Sequence, residues 1–408
     1  MIKEKHSHIN ADEEQRLLLE KQTEDAKRDR PLNIALTVAF FAFIYIFAIL
    51  FWIIPDKAVS AEENRALTAA PKFTVEALTS GDYTSEFAKY MADQFPARNF
   101  FVGLKAAAER MLLRGGNNGV IFAKDGYLVK RFDDVDDGTL KSNIGFISAF
   151  ARSASSEGIE VTTAVAGRET DVAISALPAS YGSDSSDRTW NVISEAFGDG
   201  GTEFIDLRLP LRERFDGGEY VYYKTDHHWT SLGAYYAYLE TAGSVGVTPS
   251  DVSAFTRETV TDSFFGTTWS SACAKWIEPD TIELFRYDGD ADLVTDRGDE
   301  RFEGLYDTSY LEEKDKYSVF LGGNAARIDV TSTEGGREKL LVIKDSFFHS
   351  LAPFFAKDCD LVLIDLRYYN GSPVELCREE GINKVLILLN VETLGEESGL
   401  RKLALGLN

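Results

Sequence analysis

The segment Leu32–Ile54 contains no charged residue over 23 positions and is rich in phenylalanine, isoleucine, leucine and alanine. A helix of this length, at about 1.5 Å per residue, matches the hydrocarbon core of a bilayer, which is about 30 Å thick. We therefore expect a transmembrane anchor. A cleaved signal peptide is the alternative, since Val59-Ser60-Ala61 offers small residues for cleavage, but a signal peptide has a shorter apolar core of about 7–15 residues.

The basic residues that flank this segment predict its orientation. Four of them precede it within a short distance, whereas Lys57 and Arg65 are the nearest that follow. The positive-inside rule places the more basic flank in the cytoplasm. We thus expect residues 1–31 to form a cytoplasmic tail, residues 32–54 to form the anchor, and the remaining chain to lie outside the cell.

Charge and cysteine content restrict the partners and the chemistry. The formal net charge is −23, from 66 acidic and 43 basic residues, so nucleic acid is not an expected partner. Three cysteines are too few for a disulfide framework, although Cys359 and Cys377 could pair if the fold brings them together. The spacing of cysteines and histidines does not match a zinc site, and we expect neither a metal nor a cofactor.

Turn signals divide the outer part of the chain. Residues 55–118 have the pattern of a stalk followed by a helical segment, which ends in the turn cluster Gly115–Gly119. In residues 119–408, continuous apolar runs alternate with helical runs, which predicts an α/β domain with a mostly parallel sheet flanked by helices. Residues 253–320 mix aromatic and turn residues without a helical period, so we expect an insertion rich in β-strands and loops.

The string Asp226-His227-His228 places two of the five histidines next to a carboxylate, just before a predicted helix. In extended backbone, residues i and i+2 face the same side, so Asp226 and His228 can point into one pocket while His227 points away. Asp226 would then fix the tautomer of His228, which would act as a general base. Two alternatives stay open: the string could bind a metal, as in manganese phosphoesterases, or could serve the fold alone.

Ser346 follows the strand-like run Leu341–Lys344 at the point where a helix begins. A serine at such a turn exposes its hydroxyl outside the carboxyl edge of the sheet, where open α/β folds bind ligands. His228 would accept the proton of Ser346, and the backbone N–H near Phe347 would stabilise an oxyanion. The alternative is that Asp345 and Ser346 merely cap the helix.

Three more residues are candidates for contacts with the substrate or an oxyanion. Trp229 could form a platform for a sugar ring, although an aromatic residue beside such a loop also serves packing. Asn324, in the loop Leu321-Gly322-Gly323-Asn324, could supply a side-chain amide, or could only form the turn. His227 adjoins the same predicted site.

The combination of these motifs resembles the DHHW family of membrane-anchored surface proteins, which is similar to the SGNH-like O-acetylation proteins of bacterial polysaccharide export. The matching pieces are Glu63-Asn64-Arg65 with Pro71, Asp93–Arg98, Asp125–Leu128, Asp226–Trp229 and Lys344–Phe347. The resemblance implies an SGNH-hydrolase-like fold and a triad in the chain order Asp226, His228, Ser346.

The resemblance also implies a function. It is acetyl transfer to, or acetyl removal from, hydroxyls of a surface polysaccharide through an acetyl-Ser346 intermediate, with a membrane acyltransferase as the partner that supplies acetyl groups. A non-catalytic glycan-binding or scaffold protein of the same modification system is the alternative. One departure from SGNH enzymes is that Lys344, rather than glycine, precedes Asp345-Ser346.

Overall fold

The computed structural model of the protein describes residues 11–60, 62, 65–131, 135–179, 181, 184–198 and 200–407. Residues 1–10 of the predicted tail and Glu63-Asn64 of the quoted motif lie outside the described residues. The chain forms two compact units. The first comprises Met1–Ser60 and Arg65–Phe101, and the second comprises Ala61–Asn64 and Val102–Asn408.

Helix α1, Ala11–Ile53, is the longest element of the first unit. By length and composition it is able to cross a membrane, a test that a signal sequence near an N-terminus also passes. Five further elements follow: β1 (Val59–Ser60), β2 (Arg65–Ala66), α2 (Val75–Ser80), α3 (Asp82–Asp93) and α4 (Arg98–Met111). The guanidinium of Arg65 bonds both carboxylate oxygens of Asp93, at 3.0 and 2.5 Å, and so ties β2 to the end of α3.

Helix α4 crosses the division between the units, and after it the described part of the second unit contains thirteen strands and nine α-helices. The strands are β3 (Gly116–Asn117), β4 (Val120–Phe122), β5 (Leu128–Lys130), β6 (Glu160–Ala166), β7 (Glu203–Asp206), β8 (Thr256–Phe264), β9 (Asp280–Arg286), β10 (Leu293–Asp296), β11 (Arg301–Glu303), β12 (Arg327–Ser332), β13 (Lys339–Lys344), β14 (Asp360–Ile364) and β15 (Lys384–Asn390). The helices are α5 (Asp137–Ser155), α6 (Glu169–Val172), α7 (Asp184–Gly198), α8 (Arg208–Asp216), α9 (Ser231–Thr241), α10 (Thr267–Ala272), α11 (Ala352–Ala356), α12 (Pro373–Glu380) and α13 (Val391–Glu396).

Eight of these strands form a mixed sheet in the order β7-β6-β15-β13-β14-β12-β10-β11. The first five in this order are parallel to one another, whereas β12, β10 and β11 extend the sheet in antiparallel fashion. The fold is thus α/β as predicted, but the sheet is mixed rather than mostly parallel. The lengths of the connections explain this mixture. Helices link the parallel strands, because a parallel connection has to cross over the sheet, whereas the four residues between β10 and β11 are enough only for an antiparallel hairpin.

Two strands of the predicted insertion at 253–320, β10 and β11, therefore belong to the main sheet. The other two, β8 and β9, form a separate antiparallel pair. Helix α10 lies between β8 and β9 in the chain, and this arm carries residues that contact the candidate site.

The core lies on both faces of the sheet because successive side chains of a strand point to opposite faces. On β13, Leu340 and Val342 join one buried cluster with α9 and α11, whereas Leu341 and Ile343 join another with α5, α12 and α13. The carboxyl ends of β6, β13 and β15 meet at one edge of this layered structure. The candidate site is at that edge.

The pairing of Cys359 with Cys377 that the sequence left open does not occur in this structure. Both are buried thiols without a disulfide. Burial raises the pKa of each thiol to about 12. A thiolate is the reactive form of cysteine, so both side chains act as small apolar groups of the core at neutral pH.

Candidate functional site

The turn after β13 and the loop before α9 bring a serine and a histidine into contact. The Oγ atom of Ser346 lies 2.7 Å from Nε2 of His228. The Nδ1 atom of His228 lies 2.5 Å from Oδ1 of Asp226, whose side chain is buried. The three side chains therefore form a continuous chain of hydrogen bonds from a buried carboxylate, through an imidazole, to a hydroxyl.

The loop that carries Asp226 and His228 is closed at its base by strand-like pairing. Tyr222 and Trp229 form an antiparallel bridge, and the N–H of Tyr223 donates to the carbonyl of His228 at 3.2 Å. The pairing leaves residues 224–228 as a short loop, and the side chains of Asp226 and His228 lie on the same side of this loop. The backbone of residues 224–228 is bent rather than extended, so the two side chains meet across a turn in which the N–H of His228 donates to Oδ1 of Asp226, and not through the alternation of a strand.

Asp226 has a full set of hydrogen-bond donors. Its Oδ2 accepts the backbone N–H of Thr267 at 2.8 Å and the hydroxyl of Thr267 at 2.9 Å, while Oδ1 also accepts the N–H of His228 at 3.1 Å. Burial acts to raise the pKa of Asp226, but the neighbouring imidazoles of His227 and His228 and the hydrogen bonds hold that pKa well below its usual range. Asp226 is thus a carboxylate at neutral pH.

The position of Gly266, just before α10, requires a residue without a side chain. A Cβ atom at this position would lie far inside the van der Waals distance of Cβ and Oδ2 of Asp226. Glycine therefore allows the backbone of the β8–β9 arm to approach Asp226 closely enough for Thr267 to donate its hydrogen bonds.

Asp345, rather than Ser346, caps the helix that follows β13. Oδ1 of Asp345 accepts the N–H of Phe347 at 2.9 Å, and Oδ2 accepts the N–H of Asn390 at 2.7 Å. The hydroxyl of Ser346 is consequently available to hydrogen-bond with His228. Ser346 is half-buried, and the residues on either side of it are buried. The expectation that the N–H of Phe347 faces an oxyanion does not match this arrangement, because that N–H already donates to Asp345.

The prediction that Trp229 forms a platform for a sugar is wrong. Its side chain is 0% exposed, and its indole N–H donates to the carbonyl of Phe347 and to Oγ of Ser350, both at 3.0 Å. A fully buried ring cannot stack on a ligand. Trp229 instead links the loop of His228 to the 3-10 helix Ser346–Ser350.

The other two substrate candidates lie at the surface. The side chain of His227 is 37% exposed, and its Nδ1 lies 2.7 Å from Oγ1 of Thr267. Partial burial, and then the nearby His228, lower its pKa. Asn324 is exposed, and its Oδ1 accepts a bond of 3.4 Å from Arg367. Neither residue takes part in the hydrogen-bond chain that ends at Ser346.

Three residues that contact the site had no recognisable signal in the sequence. Tyr317 stacks on the imidazole of His228, Thr267 donates to Asp226, and Asp280 binds the backbone just before Asp226. All three lie between residues 253 and 320, a segment without periodic pattern. Their distance in sequence from both motifs explains why only the folded structure reveals them.

A buried lysine, Lys344, lies two residues before Ser346 in the chain. Nζ of Lys344 is 2.6 Å from Nε2 of His349, and both side chains are buried. Burial lowers the pKa of Lys344 to about 8, and burial together with Lys344 lowers the pKa of His349 well below its usual value. Lys344 therefore places a buried amine two residues before Ser346 in the chain, paired with the imidazole of His349.

The string Asp226-His227-His228 also satisfies the geometry of a metal site. Among the described residues, these three side chains offer ligand atoms that lie within 4.8 Å of one another. Both oxygens of Asp226 and both ring nitrogens of His228 already take part in the hydrogen bonds described above. A metal ion at this point would have to replace several of those bonds, so the donor set fits a hydrogen-bonded triad better.

An α/β sheet that carries serine, histidine and aspartate in one hydrogen-bonded chain has the arrangement of a serine hydrolase or acyltransferase. The chain order Asp, His, Ser is one of several in which such an arrangement occurs. Residues 210–364 match the sequence model of the DHHW family, described as "DHHW protein". The predicted resemblance to this family is thereby confirmed, and the matched residues include Asp226, His228 and Ser346.

Three individual proteins are similar to this chain. The probable alginate O-acetylase AlgJ of Pseudomonas aeruginosa is 25% identical over 175 residues, which are 41% of this chain and 44% of that protein. The chain thus spans less than half the length of this curated relative. A DHHW family protein from Eubacterium siraeum has a TM-score of 0.60 at 21% identity, and the match covers 70% of this chain and 95% of that one. Bacillus cereus PatB1, solved with a sulfonyl adduct, has a TM-score of 0.57 at 15% identity, with coverages of 69% and 96%. The two structures share the fold of this chain.

Proposed function

We propose that this protein is a membrane-anchored O-acetyltransferase or acetylesterase that acts on hydroxyl groups of an extracellular polysaccharide. The observation that carries the proposal is the continuous hydrogen-bond chain from Asp226 through His228 to Ser346. The sequence match to a probable alginate O-acetylase supports both the acetyl group and the polysaccharide.

In the first half of the reaction, Oγ of Ser346 attacks the carbonyl carbon of an acetyl ester while Nε2 of His228 accepts the hydroxyl proton. The C–O bond to the donor then breaks, the leaving oxygen takes the proton from His228, and acetyl-Ser346 remains. Asp226 holds the proton on Nδ1 of His228, so that Nε2 is the basic nitrogen, and stabilises the imidazolium that forms.

In the second half, a hydroxyl attacks the carbonyl carbon of acetyl-Ser346, and His228 takes its proton and returns it to Oγ. If the hydroxyl belongs to a sugar, the product is an acetylated polysaccharide; if it belongs to water, the product is acetate. Ser346 is half-buried rather than closed off, which leaves room for either nucleophile. Both outcomes use the same acyl-enzyme.

The apolar stretch Leu32–Ile54, nearly all of which lies in α1, would anchor the protein to the cell membrane, with residues 1–31 in the cytoplasm and the chain from Pro55 onward outside. The length and composition of α1 and the basic residues that precede Leu32 support this placement. Because acetyl donors are made inside the cell, an anchored enzyme of this kind needs a membrane acyltransferase that delivers acetyl groups across the bilayer. We propose such a protein as the partner.

The proposal is tested by treating the full-length protein, purified in detergent, with a fluorophosphonate probe and locating the adduct by mass spectrometry. We expect a single adduct on Ser346, which His228→Ala and Ser346→Ala both abolish. The matched control is Ser372→Ala, which removes a serine that caps α12, and it should leave the adduct in place. A folded wild-type protein that gains no adduct would rule out an activated serine and favour a non-catalytic glycan-binding protein.

A further inference from the structure

A second buried carboxylate, Asp280, holds the chain immediately before Asp226. Its Oδ1 accepts the hydroxyl of Tyr220 and the backbone N–H of Lys224, the latter at 3.0 Å. Its Oδ2 accepts the N–H of Thr225 at 2.7 Å and the hydroxyl of Thr225 at 2.5 Å. All four donors thus come from residues 220–225, the segment that leads into the triad loop.

The burial of this carboxylate is matched by its four hydrogen bonds to residues 220–225. The side chain of Asp280 is 3% exposed, and burial raises its pKa although four donors oppose the rise. Placing a carboxylate in the interior is unfavourable unless its hydrogen bonds are satisfied. An apolar residue would fill the same space without that cost, but it could not fix the backbone N–H groups of Lys224 and Thr225.

The hydrogen bonds of Asp280 continue directly to the triad. Thr225 accepts the N–H of Gly266 at its hydroxyl, at 3.1 Å, and the N–H of Trp269 at its carbonyl, at 2.9 Å. Asp226 follows Thr225 in the chain and accepts the hydrogen bonds of Thr267. Asp280 on β9 and the residues around α10 therefore hold Thr225 and Asp226 from one arm of the fold, and a displacement of Thr225 displaces Asp226 with it.

We propose that Asp280 is a positioning residue that sets the place of Asp226, and through Asp226 the orientation of His228 toward Ser346. The inference rests on the proposed function and deepens it, since it assigns a residue that acts on the triad without contact with the substrate. Its effect is on the geometry of the His228–Asp226 hydrogen bond and on turnover, rather than on substrate binding.

Two measurements on the full-length protein in detergent test this role. The first is the kcat and KM for hydrolysis of an aryl acetate. The second is the downfield proton resonance of the Nδ1–H of His228, assigned by its loss in His228→Ala. The first variant is Asp280→Asn, in which the side-chain NH₂ would face groups of residues 220–225 that are themselves hydrogen-bond donors. The second is Tyr220→Phe, which removes one of the four hydrogen bonds. The matched control is Asp360→Asn, a buried carboxylate on β14 that accepts the N–H of Ser332.

We expect Asp280→Asn to lower kcat by roughly 100-fold, the size of loss that a misplacement of about 1 Å produces, with little change in KM. The proton resonance should shift or broaden in the same variant, and Tyr220→Phe should produce a smaller change in both quantities. Asp360→Asn should leave both at the wild-type values.

The role is overturned if Asp280→Asn and Tyr220→Phe leave the resonance and kcat unchanged, or if Asp360→Asn changes them as much as Asp280→Asn does. Should Asp280→Asn not fold, Tyr220→Phe alone decides the matter by the same two criteria. A wild-type protein without turnover would refute the proposed function, but the proton resonance would still report whether Asp280 sets the geometry of the triad loop.

Discussion

The imidazole of His228 lies face to face with the phenol ring of Tyr317, with ring centroids 3.9 Å apart and ring planes within 9° of parallel. The ring of Phe347 lies 4.9 Å away at a steeper angle of 51°. The hydroxyl of Tyr317 donates to the carbonyl of Ser346 at 3.2 Å. Tyr317 thus contacts both the base and the backbone of the proposed nucleophile, and it keeps the imidazole in the plane that contains Oγ of Ser346.

This stacking predicts that the ring of Tyr317 matters more than its hydroxyl. Tyr317→Leu removes the flat surface and lets His228 rotate, so we expect kcat for an aryl acetate to fall by about 10- to 100-fold. Tyr317→Phe keeps the ring and should lose less than about 10-fold, the value of one neutral hydrogen bond. Equal losses in the two variants would show that the hydroxyl, rather than the stacking, is the important group.

Asp226→Asn should reduce turnover severely while the protein stays folded. An amide would meet the N–H of Thr267 with its own NH₂ group, or would turn and present that group to Nδ1 of His228, which favours the wrong tautomer. We expect kcat to fall on the order of 10³- to 10⁴-fold, as in other serine triads. Asp251→Asn, at an exposed cap, is the control and should keep full activity. Wild-type turnover in Asp226→Asn would remove Asp226 from the triad.

Gly266→Ala should disturb both stability and activity, because the new Cβ would overlap Asp226. Overpacking of this kind costs about 1–3 kcal/mol in the free energy of unfolding, and the displaced carboxylate should lower kcat. The control is Gly145→Ala in α5, where a Cβ meets no atom within 4 Å. That change should stabilise the helix by up to about 1 kcal/mol. Urea denaturation and aryl acetate hydrolysis, measured for both variants, would show whether only position 266 requires glycine.

The buried Lys344 predicts a dependence of stability on alkaline pH. Because its pKa is about 8 in the folded protein and 10.5 ordinarily, the unfolded chain binds more protons between these values. Lys344 should therefore contribute a rise in the free energy of unfolding as pH increases from about 8 to about 10.5, by as much as about 3 kcal/mol. Cys359 and Cys377, whose pKa burial raises from 9.0 to about 12, contribute a fall over part of the same range, so the effect of Lys344 is measured as a difference between variants.

Lys344→Met should lose this contribution, so that its stability at pH 10 relative to pH 7.5 is lower than that of the wild type, whereas Lys141→Met, at an exposed position of α5, should respond to pH as the wild type does. Urea denaturation of the three proteins at pH 7.5 and pH 10 measures the difference directly. If Lys344→Met and the wild type respond to pH in the same way, then Lys344 already has an ordinary pKa in the folded protein.

Local patterns in the sequence were sufficient to predict the parallel part of the sheet. The predicted strand-like run Leu341–Lys344 lies within β13, Lys339–Lys344. Strands buried on both faces require continuous apolar residues, which are visible in a single sequence. The antiparallel strands β10 and β11 have only four and three residues, and β12 pairs with β10 and β14 across longer segments of chain, so no local pattern could assign these strands to the same sheet.

The candidate site was predictable to the extent that its chemistry is local. The i, i+2 spacing of Asp226 and His228 and the turn position of Ser346 selected three side chains that the structure brings into contact; their catalytic roles stay predictions. Burial of Trp229 depends on tertiary packing, so the sequence could not distinguish a buried indole from an exposed platform. The contacts of Tyr317 and Asp280 are likewise tertiary.

The position of β13 in the sheet has a consequence for synthesis of the chain. Ser346 lies in the turn that follows this strand, yet the two neighbours of the strand, β14 and β15, are both made after it, and β15 alone joins it to β6 and β7. The ribosome therefore synthesises the loop of His228 first and Ser346 second. It synthesises β15, the strand that lies between β6 and β13, last. A nascent chain that has not yet reached Asn390 lacks the pairing of β15 with β13 and the hydrogen bond from Asn390 to Asp345. In the proposed function, Ser346 would therefore become an active nucleophile only after β15 has docked.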